Sequence, residues 1–484
     1  MKFRKMVSGL LACALVVTSV FTGNMSTVKA EGTTITGDAA EGSTALKAGD
    51  YYIMNTKTGK FLNAGNGYGT QASAMTYGQL VTVSTVNDVT PQDGGVYKIN
   101  THIKEGDRTY LGTNGYMNAA AADLTITSTE SGGYTIEEKS SGNSKYLTAS
   151  AENTVVTFAD KSDLSEWKFL TRDEFMDHAV KTVAEDTPFD MSSLIFDPGF
   201  GIHNEYRSHW GKAGTNYKVI SGSDTNNKKY NECAEDWHHV FDCTQTLEGV
   251  PNGEYTLSVQ GFFRDDTEDS SAAKPVYYIN SVEKPLMLRS DDSQDAPPND
   301  LKSSAVCFEN GKYVNAPISV EVLDNKIKFG VKAKDANTWV AWDNYSLKLN
   351  RVITDDEIEA RAAVKVFKQI GEVSLTPASK RKIDAARKAY DDLTEAGKGF
   401  VKAEDLQILT GAEAAFKALI EAEGGQATFD GLAADEAAVK IGAIGTVDLV
   451  DTCKERIDAA RTAYDALTDA QKALLEEDYK VLTD

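Results

Sequence analysis

The sequence predicts a multidomain chain: two all-β regions in series, followed by an all-α region. Three observations predict it. Between residues 47 and 172, short runs rich in Tyr, Ile, Val and Phe recur between Gly/Asn/Ser turns. From residue 191 to 350 the runs lengthen and alternate apolar with polar residues. Beyond Thr354 the apolar period becomes that of a helix, and a block of sequence returns 74 residues later. Period two marks strands with one buried face, and period 3.6 marks amphipathic helices.

Residues 1–30 read as a secretory signal and 31–46 as a linker. Lys2, Arg4 and Lys5 precede an apolar stretch from Met6 to Phe21, and Val28-Lys29-Ala30 is a small-x-Ala cleavage site. That layout directs export, so the expected location is secreted or at the cell surface. No later stretch is long and apolar enough to cross a bilayer, so no membrane insertion is expected of the exported chain. The 484 residues include 50 basic and 72 acidic ones, a net charge of −22. Loss of Lys2, Arg4, Lys5 and Lys29 with the signal makes the exported chain more acidic still. Such a chain repels phosphate backbones, which argues against a nucleic-acid partner.

Residues 47–172 repeat one layout three times. Tyr51-Tyr52-Ile53 precedes a polar turn and Phe61-Leu62; Val96-Tyr97-Lys98-Ile99 precedes Tyr110-Leu111-Gly112; Tyr134-Thr135-Ile136 precedes Tyr146-Leu147. Glu166-Trp167-Lys168-Phe169-Leu170 closes the region. A spacing of about 40 residues is what a repeat of hairpin units produces. Tyr52, Phe61, Tyr97, Tyr110, Tyr134 and Tyr146 are expected in the barrel core. The layout, with the phrase from Tyr52 to Gly65, resembles the β-trefoil of ricin-B-like lectin modules. The Q-x-W signature of those lectins is missing, with only Glu166-Trp167 near it.

Residues 173–190 read as a connecting helix that Thr187-Pro188 ends, because a proline disfavours helical backbone in the residue before it. In the run from Glu254 to Phe263, Tyr255, Leu257, Val259 and Phe263 share one face while Thr256, Ser258 and Gln260 share the other. Ile318, Val320 and Val322, then Ile327, Phe329 and Val331, alternate around an Asp324-Asn325 turn. Antiparallel strands with one polar face make a sandwich over residues 191–350. By the same parity Trp339 shares the inward face of Asp343, Tyr345 and Leu347, while Trp342 takes the opposite one.

Several motifs in order then resemble the carbohydrate-binding jelly rolls of the galactose-binding-like type. They are Leu194-Ile195-x-Asp197-Pro198-Gly199-Phe200 with Trp210, Glu248 to Tyr255, Phe263-Arg264, Gly311 to Asn315, and Trp342 to Leu347. The resemblance implies an all-β jelly roll, a glycan or polysaccharide ligand, and a structural calcium ion at Asp197 and Asp343. No other cofactor is expected. A sugar ring offers apolar C–H faces and a rim of hydroxyls, so its site needs exposed aromatic rings and a few fixed polar groups. The residue types that supply these are Tyr206, Arg207, Trp210, Tyr230 and Trp237 in a polar, aromatic loop stretch, Arg264 and Asp265 at a strand end, and Trp342.

Cys233, Cys243 and Cys307 leave their pairings open, and Cys453 stands where the related repeat has Ser379. No G-x-S-x-G, no paired Cys/His pattern and no catalytic constellation stands out. Adjacent His238 and His239 point to opposite faces of a strand and make no chelate.

Residues 351–424 and 425–484 read as two three-helix-bundle repeats. Ile383 to Thr394 matches Ile457 to Thr468. Thr354-x-x-Glu357 and Thr468-x-x-Gln471 are capping boxes, and Thr376-Pro377 opens another helix. These units resemble helical spacer repeats of Gram-positive surface proteins. The second unit is expected to end before its third helix, as a truncated chain would. The function expected of the whole is non-catalytic glycan binding on helical spacers. The alternatives are a structural or adhesive surface protein that binds a host protein or surface glycoprotein, or an accessory part of a larger glycoside hydrolase.

Overall fold

In the computed structural model the described residues are 45–66, 71–105, 108–139, 142–200, 209–213, 218–220, 233–265, 273–292, 297–336, 338–447 and 451–483. The stretch read as a signal and nearly all of that read as a linker lie outside them.

Twelve strands form the N-terminal sheet among the described residues. They are β1 (Gly49–Asn55), β2 (Phe61–Asn66), β3 (Gln71–Met75), β4 (Val81–Thr85), β5 (Gly95–Glu105), β6 (Arg108–Leu111), β7 (Met117–Asn118), β8 (Leu124–Ser128), β9 (Tyr134–Glu138), β10 (Lys145–Ala149), β11 (Val156–Ala159) and β12 (Glu166–Leu170). Antiparallel pairing runs β1–β4–β5–β8–β9–β12 and returns to β1, which closes a ring. Closure leaves those strands no free edge. Hairpins β2–β3, β6–β7 and β10–β11 stand off the ring, one for each predicted repeat. Ala72 N donates to Gly115 O and Ala74 N to Thr154 O, so the first hairpin is tied to the turns of the other two.

The ring encloses Ile53, Leu62, Tyr97, Ile99, Ile126, Ile136, Leu147 and Trp167. Leu46, at the end of the stretch read as linker, already packs there. Of the six aromatics expected in this core, Tyr97 is in it and Tyr110, Tyr134 and Tyr146 are only half-buried. Tyr52 and Phe61 are buried elsewhere. They pack on Phe175 of α1 (Arg172–Thr182), with ring centroids 4.6 and 5.4 Å away, inside the core of the next region. Repeat position therefore did not predict which core each ring enters, because the first unit lends part of its apolar surface to a neighbour.

The central strands are β13 (Phe189–Asp190), β14 (Gly211–Ala213), β15 (Lys218–Ile220), β16 (Cys233–Trp237), β17 (Phe241–Glu248), β18 (Gly253–Asp265), β19 (Val276–Ile279), β20 (Val282–Pro285), β21 (Met287–Leu288), β22 (Ile318–Val322), β23 (Lys326–Ala333) and β24 (Thr338–Val352). One sheet runs β15-β16-β24-β18-β21, with β13 on β24 and β22 on β18; the other runs β14-β17-β23-β19-β20. Tyr255, Leu257, Val259 and Leu347 from the first sheet meet Phe241, Leu247, Ile327, Phe329 and Val331 from the second, which makes a two-sheet sandwich. The helix α2 (Leu301–Glu309), capped by Asp300, covers part of the outer face of the first sheet.

β24 decides what faces inward. Ser258 pairs with Ser346 and Gln260 with Asp343, so Asn344 and Tyr345 together oppose Val259 alone. This is a β-bulge, and Asn344 takes the left-handed φ of 50° that accommodates the extra residue. The extra residue reverses the parity along the strand. Val340 and Trp342 face the sandwich core on one side of the bulge, and Tyr345, Leu347 and Leu349 face it on the other. Trp339 consequently points outward beneath α2, beside Phe262, Ala341 and Cys233. The expected placing of Trp339 with Tyr345 and of Trp342 opposite them is overturned.

The C-terminal region is helical: α3 (Asp355–Lys368), α4 (Pro377–Asp391), α5 (Glu395–Gly399), α6 (Ala403–Glu421), α7 (Gly425–Gly442), α8 (Asp451–Asp465), α9 (Asp469–Lys472) and α10 (Glu476–Thr483). Phe367, Ile383, Ala386, Leu409 and Phe416 form the first core. Thr468 and Gln471 make the full capping box, but Thr354 makes half of one: it accepts from Glu357 N, while the Glu357 carboxylate turns away to Arg351 and Arg361. The second unit does not stop before its third helix. The short helix α10 lies against α7 and α8 and buries Leu482 against the Ile441 and Ala460 cluster. Among the described residues no helix is long and apolar enough to cross a membrane.

Candidate functional site

Two of the tryptophans expected at the ligand are structural. Trp342 is fully buried and stacks on Phe241 with centroids 5.3 Å apart and planes 11° apart. Trp210 lies between Phe200, Phe329 and Tyr345, and its Nε1 donates to Asp197 O at 3.2 Å. The ring of each fills the space between the sheets, so neither presents a face to a sugar. Tyr206, Arg207 and Tyr230 lie outside the described residues.

Trp237 is different: it is 59% exposed. Its place on β16 explains why. Ala234 enters the sandwich core, so Cys233, Glu235 and Trp237 fall on the outer face by alternation. α2 shields that face over Cys233, Phe262 and Ala341 but leaves Trp237 uncovered. Register places Trp237 opposite Trp339, and Trp339 opposite Arg264. The three form one cross-strand row on β16, β24 and β18, with side chains on the same face.

Polar groups are fixed around this row. Trp339 Nε1 donates to Glu235 Oε2 at 2.8 Å, and the Arg264 guanidinium lies over the Trp339 ring, 5.1 Å from its centroid. Such a cation–π contact contributes on the order of 1 kcal/mol and holds a long side chain in place. Arg264 Nη1 also donates to Asn299 Oδ1 at 2.9 Å, in the loop that leads into α2. Arg289 Nη1 reaches the same oxygen at 2.8 Å. The assembled face thus has an exposed indole with a carboxylate, two guanidiniums and an amide beside it. Asp265 ends β18 opposite Thr338, next to the row.

Sequence reasoning found Trp237 and Arg264 but placed their companion Trp339 on the inward face. The alternation of β16 and β18 carried part of that signal. The pairing of the strands, and the bulge that turns Trp339 outward, did not show in it. His238 and His239 are both exposed; His239 Nδ1 lies 3.2 Å from Asp236 Oδ1 and His238 N donates to Thr338 O, so the pair shapes a turn.

The segments that carry Asp197 and Asp343 are joined by one backbone hydrogen bond, from Tyr345 N to Pro198 O at 2.9 Å. Both carboxylates are buried, and Asp343 Oδ1 accepts from Asn344 N. Burial raises the pKa of the Tyr77 hydroxyl, with the charges of Asp190 and Asp343 adding to it. Two buried carboxylates beside backbone carbonyls suit a hard cation in kind. No group of three or more His, Cys, Asp or Glu that could hold a metal occurs among the described residues.

No disulfide joins the cysteines among the described residues. Cys233 lies on the outer face with its Sγ near Leu301 O, whereas Cys243 faces the sandwich core. Cys307 lies six residues along α2 from Leu301, roughly 9 Å of helix rise away from the Cys233 contact.

No protein-family model matches the chain, and no curated protein matches it. Among solved structures, the exo-β-1,3-galactanase of Phanerochaete chrysosporium with β-1,3-galactotriose is similar at 11% identity and a TM-score of 0.18, over 62% of this chain and 69% of that one. A protein of Bacteroides thetaiotaomicron VPI-5482, provisionally described as sugar binding, is similar at 14% identity and a TM-score of 0.15, over 32% of this chain and 92% of that one. The insecticidal crystal protein Cry7Ca1 of Bacillus thuringiensis is similar at 6% identity and a TM-score of 0.19, over 63% of this chain and 51% of that one. Scores this low carry no argument about function.

Proposed function

We propose that the chain is a non-catalytic glycan-binding protein whose ligand stacks on Trp237. The observation that carries this reading is an indole 59% exposed in a row with Trp339 and Arg264. A large apolar ring left in water on a rigid strand is costly to fold around and well suited to the C–H face of a sugar. Glu235, Arg264, Arg289 and Asn299 stand where they can bond ring hydroxyls, and their mutual contacts hold them in place before a ligand arrives.

In this reading the N-terminal sheet is a β-trefoil; its closed ring and three hairpins support that. The sandwich is a galactose-binding-like jelly roll. The helices are spacers, and residues 1–30 direct the chain out of the cell, where it stays secreted or at the surface. A calcium ion at Asp197 and Asp343 would stiffen the end of the sandwich and take no part in sugar contact. The test uses the whole chain, since Tyr52 and Phe61 complete the sandwich core. In affinity gels cast with a polysaccharide panel, the wild type is expected to be retarded and Trp237→Ala to run free while melting at the same temperature. A folded wild-type chain that no polysaccharide retards would overturn the reading.

A further inference from the structure

The two junctions of the sandwich are built differently. Toward the N-terminus, Tyr52, Phe61 and Phe175 belong to the sandwich core itself, and Gly78 N donates to Ser193 Oγ at 2.8 Å. Toward the C-terminus the sandwich core ends at Val352 and the first helical core begins at Ala360, and the two share no described residue. Of the described residues between them, Ile353 alone is both apolar and buried. Ile353 and Thr354 are all that separates β24 from α3.

Charge takes the place of packing there. Register sets Glu321 of β22 opposite Glu254 of β18, and Glu254 opposite Arg351 of β24. Like charges directly opposite repel, so the sheet alone carries one carboxylate too many. Glu357 and Arg361, one turn apart on α3, close over this row. Arg361 donates to both oxygens of Glu321 at 2.8 and 3.0 Å, and to Glu357 at 2.7 Å. Arg351 donates to Glu254 at 2.6 Å and to Glu357 at 2.9 and 3.2 Å. Two-pronged pairs linked in a network hold where single surface pairs contribute little. The Arg361 fork keeps the Glu321 carboxyl below its ordinary value, as Arg351 and Arg361 do for Glu357. The other charged residues adjoining the row are Lys348, exposed on β24 opposite Thr256, and Asp355, Asp356 and Glu359 in the first turns of α3. Asp356 accepts from the Thr394 hydroxyl. In acid the joint therefore loses its anions and keeps Arg351, Arg361 and Lys348, which repel one another.

We propose that these three carboxylates and two guanidiniums form an acid-released clasp. Near neutral pH it fixes the helices to the sandwich, and in acid it lets them swing on Ile353 and Thr354 while the N-terminal junction stays shut. A depressed carboxylate contributes above its unfolded value and loses that contribution as pH falls through the folded one, so release runs downward from about pH 4.5. The N-terminal junction also holds a carboxylate, Asp190, bonded to the Thr76 hydroxyl, but its apolar rings do not titrate. The clasp is independent of what the sandwich binds.

The test is hydrogen exchange on the full chain, read at one amide of each junction. Ile353 N donates to Asn252 O at 2.9 Å, the last bond to the sheet before α3, and Gly78 N reports the N-terminal side. Protection, corrected for the intrinsic rate at each pH, should fall about tenfold at Ile353 between neutrality and about pH 3, and hold at Gly78. Arg361→Ala should give the same fall at neutral pH, and Arg361→Lys, which keeps the charge without the fork, a smaller one. Wild-type protection at Ile353 that survives in acid overturns the proposal. So does protection that survives Arg361→Ala at neutral pH, which also decides the case if acid unfolds the whole chain. Equal loss at Ile353 and Gly78 in Arg361→Ala would make the network a general stabiliser and overturns the clasp as well.

Discussion

The inner and outer faces of one sheet treat the same residue type in opposite ways. On the inner face Trp342 is sealed between two sheets and stacked on Phe241. On the outer face, Trp237 of the adjacent strand stands in water. Neither aromatic character nor position in a strand separates them. What separates them is which layer covers each face: a whole second sheet inside, and a single nine-residue helix outside. A tryptophan is therefore evidence of a binding site only where the covering layer runs out.

Substitutions at four positions test this contrast. Trp342→Ala removes a fully enclosed ring, and the cavity should cost about 3–5 kcal/mol, read as a lower denaturant midpoint. A loss below about 1 kcal/mol would mean that the inner face is not closed as described. Asn344→Val comes next. A β-branched residue at a φ of 50° is strained, and the Nδ2 bond to Gln260 Oε1 is lost, so the expected cost is about 2–3 kcal/mol. Asn344→Gly, which adopts that φ freely, should recover part of it. Equal stability of the two variants would argue against the bulge that sorts Trp339 from Trp342.

The junction to the helices offers an intermediate case, a partly buried charge rather than a ring. Hydrogen bonds from Arg351, with Arg361 adding, hold the Glu357 carboxyl below its ordinary value of 4.5 against the opposing effect of burial. A depressed carboxylate contributes stability above its unfolded value and loses it as pH falls through the folded one. Glu357→Gln should therefore cost about 1 kcal/mol at neutral pH, with the gap closing below about pH 4.5. A gap that widens in acid would reverse the assignment. The smallest effect on stability is expected at Trp237→Ala, within about 0.5 kcal/mol, because an exposed ring leaves no cavity. The same change should abolish glycan retention, and a large fall in melting temperature instead would make Trp237 a packing residue.

Much of the molecule was legible in the residue pattern. The strands around Tyr255–Val259 and Ile327–Val331 follow from alternation, since each needs only its own neighbours to show one apolar face. The helices at Ile383 and Ile457 follow from period and caps for the same reason. Of the site, Trp237 was visible as an aromatic in a polar loop stretch and Arg264 as a charge at a predicted strand end. Trp210 and Trp342 misled, because a motif that looks like a binding loop also supplies the plug of a sandwich. The bond from Arg264 to Asn299 was hidden, since nothing local marks a loop residue that folds back onto a strand end 35 residues away.

The sequence by itself determined the kinds of element, their order, the repeat and most inward faces, all of which depend on contacts within a few residues. Only the tertiary structure decided which tryptophan meets solvent. One inserted residue at Asn344 reverses parity without changing composition, and the reach of α2 over the sheet depends on packing among residues distant in the chain. Local pattern records that a side chain is apolar, and burial depends on what the rest of the chain lays over it.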